Sequence, residues 1–438
     1  MLPRMSKVLN PTNEVIPMKK RIYKRIPVNS FLPSSIDIGA LEGQLVFAID
    51  VAKVDMVAAI ASGSGQVLST ISWKAPMQNA KVVELLNGFK ASGLDVQAVL
   101  ESTGTYGDVL RHALEAAAIP VYRVSCKRTY DAREVFDGVP SLHDAKSAAI
   151  LAKLHAEGLS AVWTQDHGDR RQLTAAIAIM DLHQERYLQL VHRLESWLAR
   201  HWPESTSIFD LTSAALLALL ARIGPPADIA KQKNASFKLM RGMGHGLIDE
   251  AKIEKLLETA ATTVGVPCEG LERDALMAIA AEAHKSIRAY KSAKLVVERL
   301  TVNTAANAMA PVVGKTTAAV VFAEAGDPSD FKSAGALVKA LGLNLREKSS
   351  GMTRGRISIS KRGPNRVRQF LWLAVHRWVQ SDPLAARWYA RKKQRDGGFG
   401  AKATVALMRK LASALFHVAR GASFDSCLLF YREERTAA

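Results

Sequence analysis

Residues 45–50 read LVFAID: five apolar residues closed by a carboxylate. An apolar run this short and β-rich predicts a buried strand, and Asp50 ends it. A buried, unpaired aspartate is costly, so its placement asks for a reason. Working outward, Asp55 to Ala61 and Val67 to Trp73 are two further β-rich runs, and the SGSGQ between them is a hairpin signal. Asn79 to Ser92 has helical spacing, with Val82, Val83, Leu85, Leu86 and Phe89 on one side. VQAVLE at 96–101 predicts a strand that again ends in a carboxylate, Glu101. Tyr106 to Ala118 predicts a helix, Pro120 to Val124 a short strand, and Ala145 to His155 a helix with Asp144 at its start. The order β-β-β-α-β-α-β-α is that of an RNase H-like α/β fold over residues 41–160.

In such a sheet the first and fourth strands are neighbours and the last helix packs beside them. Asp50, Glu101 and Asp144 then converge, although they lie 51 and 43 residues apart in the chain. Converging carboxylates repel and raise one another's pKa. Hard divalent cations with oxygen ligands relieve that repulsion, and a pair of them can clamp the attacking and leaving oxygens of a phosphodiester. Each acid also has an ordinary reading: Asp144 as a helix N-cap, Glu101 before Ser-Thr-Gly as the start of a turn.

Composition narrows the partner. The 438 residues carry 59 Lys+Arg against 41 Asp+Glu, a net charge of +18. Residues 1–30 hold a net +6 and residues 346–395 a net +12, while the remainder balances. The second segment also contains Trp372, Trp378, Trp388 and Tyr389. A concentrated positive field beside aromatic faces suits a polyanion with bases to stack on. A hydrophobic share of 48% argues against a disordered chain, and three dispersed cysteines argue against a disulfide scaffold or a cysteine zinc site. The apolar run Ala214 to Ala221 is far short of the roughly 20 residues of a membrane span, and the first residues show no secretory apolar core. The expectation is a soluble protein of a reducing compartment with no membrane partner.

Three motifs now support a comparison. FAIDVAKVDMVAAI around Asp50, LESTGTYGDVL around Glu101 and HDAKSAAILAKL around Asp144 resemble the motifs of the DEDD transposases of the insertion-sequence one-ten family, with its one-one-one-one subgroup and the related Piv-type DNA invertases. PVVGKTTAAVVFAEAGDPSDFKSAGALVKALGL, followed by SSGMTRGRISISKRGPNRVRQFLWLAV, resembles that family's second, compact helical domain. The resemblance spans roughly residues 44–160 and 305–422. It implies a RuvC-like first domain, a divalent cation (Mg2+ or Mn2+) on Asp50, Glu101 and Asp144, and an essential serine before the glycine of a Ser-Gly pair. That serine is Ser350, with Ser349 as the alternative. It further implies DNA partners (element ends and target), a structured bridge RNA from the element, a homodimer or tetramer, and action in the cytoplasm at the bacterial nucleoid. The chain departs from the pattern once. Where the family has a fourth acid three residues after the third, this chain has Ser147, a weak and uncharged ligand. The readings left open are Ser147 as a ligand, a lowered metal affinity, ligation through a water, recruitment of His143, or an inactive copy.

Read from the residues alone, Ser349 and Ser350 are equally loop hydroxyls capping a turn. Around them, Gly351, Gly355 and Gly363 allow close backbone approach to phosphate, and Arg354, Arg356, Lys361, Arg362, Arg366 and Arg368 supply cations for nucleic acid. GRISIS reads as a strand and Asn365 to Val379 as a helix with Val367, Phe370, Leu371, Ala374, Val375 and Trp378 inward. GKTT at 314–317 lacks the glycine a phosphate loop needs five residues earlier, where Met309 stands, so nucleotide binding is rejected. Ala310 to Gly326 instead reads as a helix–hairpin–helix element, able to touch a DNA phosphate or simply to pack.

The expected organisation is a flexible basic arm (1–40), the RuvC-like domain (41–160), a helical or coiled-coil linker (165–304), the C-terminal domain (305–425) and a tail (426–438). Long helical patterns over 170–202 and 270–308 suggest a coiled-coil-like pair or an ordinary helical subdomain. Gly224 to Ala235, with its prolines, reads as a loop, and 203–268 carries no assigned chemistry. The function these readings favour is a transposase or site-specific DNA recombinase. The alternatives are a RuvC-like nuclease or junction resolvase using metal and water, and an inactive nucleic-acid-binding relative.

Overall fold

The computed structural model describes residues 23–101, 104–163, 168–350 and 353–434, with the side chains of 348–350, 353–354, 356 and 431–434 outside that description. The chain divides into two compact units, residues 1–165 and 166–438.

The first unit is built on a seven-stranded sheet. Its strands are β1 (Arg25–Pro27), β2 (Gln44–Asp50), β3 (Asp55–Ser62), β4 (Val67–Lys74), β5 (Asp95–Glu101), β6 (Val121–Val124) and β7 (Ala161–Val162), in the order β1-β4-β3-β2-β5-β6-β7. β2, β3 and β4 form an antiparallel meander, and β5 and β6 run parallel to β2. This is the mixed-sheet arrangement expected of an RNase H-like core. Its helices are α1 (Asn79–Ala91), α2 (Asp108–Ala116), α3 (Cys126–Asp131) and α4 (Asp144–Ala156).

Strand alternation sorts the two faces. Leu45, Phe47 and Ile49 of β2 and Val96, Ala98 and Leu100 of β5 pack with Val82, Leu86 and Phe89 of α1 and Leu110 and Leu114 of α2. Val46 and Ala48 of β2 and Val99 of β5 pack on the other face, with Ile150, Leu151, Ala152 and Leu154 of α4. Both faces are covered, which is why β2 reads as a continuous apolar run rather than an alternating one.

The expected flexible arm is corrected over residues 23–40. β1 pairs in parallel with β4, and Val28, Phe31 and Ile36 are buried in the core shared with α1. These apolar residues are spaced irregularly, so no helix or strand period reveals them. Residues 1–22 lie outside the described residues.

The second unit opens with α5 (Gly168–His201), which packs along the helix Gly270–Val302. Residues 203–268 fold as short helices around the far end of this pair. Leu194, Leu198 and Trp202 share a core there with Leu216, Leu220, Ile253, Leu256 and Leu276. The loop expected at 224–235 is helical instead, as Pro226–Lys231 and Lys233–Met243. Pro226 stands in the first turn, where a fixed φ and a missing N–H start a helix rather than break one.

At the near end of the pair, Leu173, Ile177, Met180 and Val297 enter the same core as Met309, Leu341, Val367, Leu371 and Leu411. The expected boundary at 304/305 is therefore not a boundary between cores. The expected tail is also corrected. Ser426–Glu434 is a helix, and Phe430 stacks against Trp378 at 5.7 Å and Trp388 at 5.8 Å. In the expected helix–hairpin–helix region, the short helix Ala310–Val313 turns at Gly314 (φ +84°) into the helix Lys315–Ala325. A hairpin of β8 (Leu345–Ser350) and β9 (Thr353–Ile359) follows, and β8 was not read from the sequence.

Candidate active site

β2 and β5 pair in parallel with Ile49 opposite Leu100, so the next residues, Asp50 and Glu101, close neighbouring strands side by side. By the alternation above, both continue the face that α4 covers. Asp144 is the first residue of α4, where the positive end of the helix dipole favours a carboxylate. The cap itself is His143, whose Nδ1 accepts from the Lys146 backbone N–H at 3.2 Å. Asp144 is thereby relieved of the N-cap role that the sequence allowed it.

The three acids feel one another. Burial first, then the charges of Glu101 and Asp144, push the Asp50 carboxyl up to about 7, against the lowering pull of Arg25. Arg25 is the residue that sequence reading missed. Its guanidinium Nη1 stands 3.0 Å from Asp144 Oδ2. Tyr23, two residues earlier, places its ring edge-on to His143 with centroids 5.1 Å apart. The sole sequence signal for Arg25 was the positive charge of the first 30 residues. Two further neighbours were missed. The Cys126 thiol interacts with Glu101, and burial and that carboxylate push it up. Lys146 is buried, with Nζ donating to Asp137 Oδ1 at 2.9 Å and the Val139 carbonyl at 2.6 Å. That pairing ties the loop ahead of α4 to the helix.

Carboxylate oxygens held against burial and mutual repulsion are the donor chemistry that suits a hard divalent cation. Among the described residues, no three His, Cys, Asp or Glu side chains stand close enough to share one ion. The acids are neighbours rather than a closed ligand shell, and Arg25 supplies the local positive charge. Ser147 lies one turn after Asp144 on α4 and is buried, 7% exposed.

In the second unit, Ser350 ends β8 opposite Thr353, at the tip of the hairpin. The side chains of Ser349, Ser350, Arg354 and Arg356 lie outside the described residues. Lys361 and Arg362 are exposed. Two of the expected nucleic-acid contacts are corrected. Arg366 pairs internally with Asp181 at 2.5 Å and Glu324 at 2.9 Å. Arg368 Nη1 donates to the carbonyls of Gly363 (2.7 Å), Pro364 (3.2 Å) and Leu341 (3.3 Å). Both cations hold the entry of the helix Asn365–Ser381 in place. Trp378 and Trp388, counted among the aromatic faces of the basic segment, are buried at 8% and 3% exposure and belong to the core, Trp378 on the inward face expected of its helix. Gly363 serves packing: a Cβ there would meet the Ala340 carbonyl oxygen at 2.2 Å.

Comparison with known proteins finds two family matches along the chain. Residues 47–203 match the DEDD transposase domain of the IS110 family, and residues 308–390 match the family described as Transposase IS116/IS110/IS902. A Streptomyces coelicolor protein, described as the insertion element IS110 uncharacterized 43.6 kDa protein, is 25% identical over 297 residues, or 64% of this chain and 71% of its own length. The first match contains all three acids and the second contains Ser350. With both matches present in the same chain, the protein belongs to the IS110 family of DEDD transposases.

Proposed function

We propose that this insertion-sequence transposase cuts and rejoins DNA using Asp50, Glu101 and Asp144 to hold Mg2+ or Mn2+, with Ser350 as the nucleophile. The observation that carries the reading is the adjacency of Asp50 and Glu101 at the ends of paired strands, on the face covered by the helix that Asp144 begins. A bound divalent cation would supply charge stabilisation at the scissile phosphate. The protein's own part is to keep the acids on rigid strand and helix ends and to exclude solvent beneath them. In the reaction, Ser350 Oγ loses its proton and bonds to phosphorus. The bond from phosphorus to the departing deoxyribose oxygen then breaks, and that oxygen takes up a proton. The product is a protein–DNA phosphodiester, which a DNA hydroxyl later resolves. The basic segments are consistent with an accompanying structured RNA, which the family resemblance implies, as it implies a dimer or tetramer.

The test incubates the protein with element and target DNA, its RNA and Mg2+, denatures the mixture and looks for DNA attached to protein. Wild type is expected to form the adduct, and Ser350→Ala to lose it while Ser349→Ala keeps it. Asp50→Asn is expected to abolish recombination while DNA binding persists. Equal trapping by Ser350→Ala removes the serine role. Cut ends without any adduct support the nuclease reading instead.

A further inference from the structure

The cations first assigned to nucleic acid include two that are committed internally, Arg366 and Arg368. Part of the surplus of the C-terminal basic segment lies further on, in the helix Pro383–Arg395. Its sequence, PLAARWYARKKQR, contains five Lys/Arg and no acid. The two flanking acids are occupied. Asp382 caps this helix, accepting from the Leu384 N–H at 2.8 Å and from Trp378 Nε1 at 3.0 Å. Asp396 pairs with Lys392 at 2.7 Å. The inner side is anchored by buried Ala385 and Trp388, the latter against Phe430. Arg387, Arg391, Lys393 and Arg395 remain exposed.

Arg387, Arg391 and Arg395 stand four residues apart, so they form one row, each step rising about 6 Å along the axis. That row can follow successive phosphates of one strand. The helix exposes no large apolar side chain, so it offers nothing to bury in a lipid surface and no apolar anchor for a protein partner. We infer that this outer face of the helix Pro383–Arg395 is a sequence-independent docking surface for the phosphate backbone of duplex DNA. The inference rests on the transposase reading and adds a location to it. Arg391, Lys393 and Arg395 lie beyond the matched family region, which ends at residue 390. The surface is a seated helix rather than a loop, so it holds its phosphate row at fixed spacing before DNA arrives.

The experiment measures anisotropy of full-length protein on a labelled duplex of unrelated sequence across a KCl series. The variant is Arg387→Gln/Arg391→Gln/Arg395→Gln, and the matched control is Lys285→Gln/Arg288→Gln/Lys291→Gln. Loss of three phosphate contacts is expected to reduce the slope of log affinity against log salt by about 2.7, with at least about a tenfold loss at moderate salt. The control is expected to keep most of the wild-type slope. Circular dichroism checks that each variant is folded. An unchanged slope in the helix variant overturns the surface and leaves the transposase reading intact. An equal loss in the control shows a net-charge effect and also overturns it. A loss confined to a structured RNA hairpin moves the surface to RNA and overturns the DNA assignment. Wild-type protein that binds no duplex at low salt removes both the surface and the DNA reading.

Discussion

The Arg25 guanidinium lies 3.0 Å from the Asp144 carboxylate, from a strand at the far edge of the sheet to the first residue of α4. It stands where positive charge is needed beside Asp50, whose carboxyl it lowers against burial and two like charges. Arg25 precedes the matched family region, which begins at residue 47.

A cation arriving at the acids competes with this guanidinium. Arg25→Ala is therefore expected to bind Mn2+ more tightly, by severalfold, since a half-exposed pair is worth up to ~1 kcal/mol. Titration calorimetry on the metal-free protein reads this directly. Weaker binding in the variant would assign Arg25 to holding Asp144 in position instead.

Asp50 sets a pH dependence. Its folded pKa, about 7, is above the ordinary 3.8, so the native state holds a proton that the unfolded chain releases. Without metal, stability is then greatest below about pH 4 for this group and is lost as pH rises toward 7. Asp50→Asn is expected to remove that part of the slope. Thermal denaturation between pH 5 and 8 in EDTA compares the two proteins, and parallel curves would contradict the raised pKa.

Ser147 occupies the position of the family's fourth acid and is buried beside α4's packed face. Ser147→Asp adds a fourth carboxylate one helical turn from Asp144. In EDTA its melting temperature is expected to drop by several degrees, because another carboxylate is desolvated one turn from Asp144. Saturating Mg2+ is expected to restore most of the loss. A drop that Mg2+ leaves untouched would place residue 147 away from the ion.

Gly363 is a packing requirement. Its ideal Cβ falls 2.2 Å from the Ala340 carbonyl oxygen and 2.7 Å from the Gly342 nitrogen, both backbone atoms. Gly363→Ala is expected to cost more than about 3 kcal/mol or to prevent folding of the second unit. A melting temperature within a degree or two of wild type would return Gly363 to the phosphate-approach role.

Local sequence determined much of this protein. The run at 45–50, the hairpin signal and the alternation of strands with helices specify the sheet, because a buried strand and an amphipathic helix each leave a periodic mark. The acids at the ends of those elements followed from the same marks. Tertiary structure alone decided what surrounds them. Arg25 and Cys126 reach the acids, and Tyr23 the neighbouring His143, through side chains from segments with no period of their own, so nothing local announces them. The same holds for the basic segment. Composition counted its cations, but only packing showed that Arg366 and Arg368 are engaged internally, that Trp388 is core, and that the Arg387 row faces outward. Charge is written residue by residue, whereas its availability depends on which distant carboxylates and carbonyls the fold brings within reach.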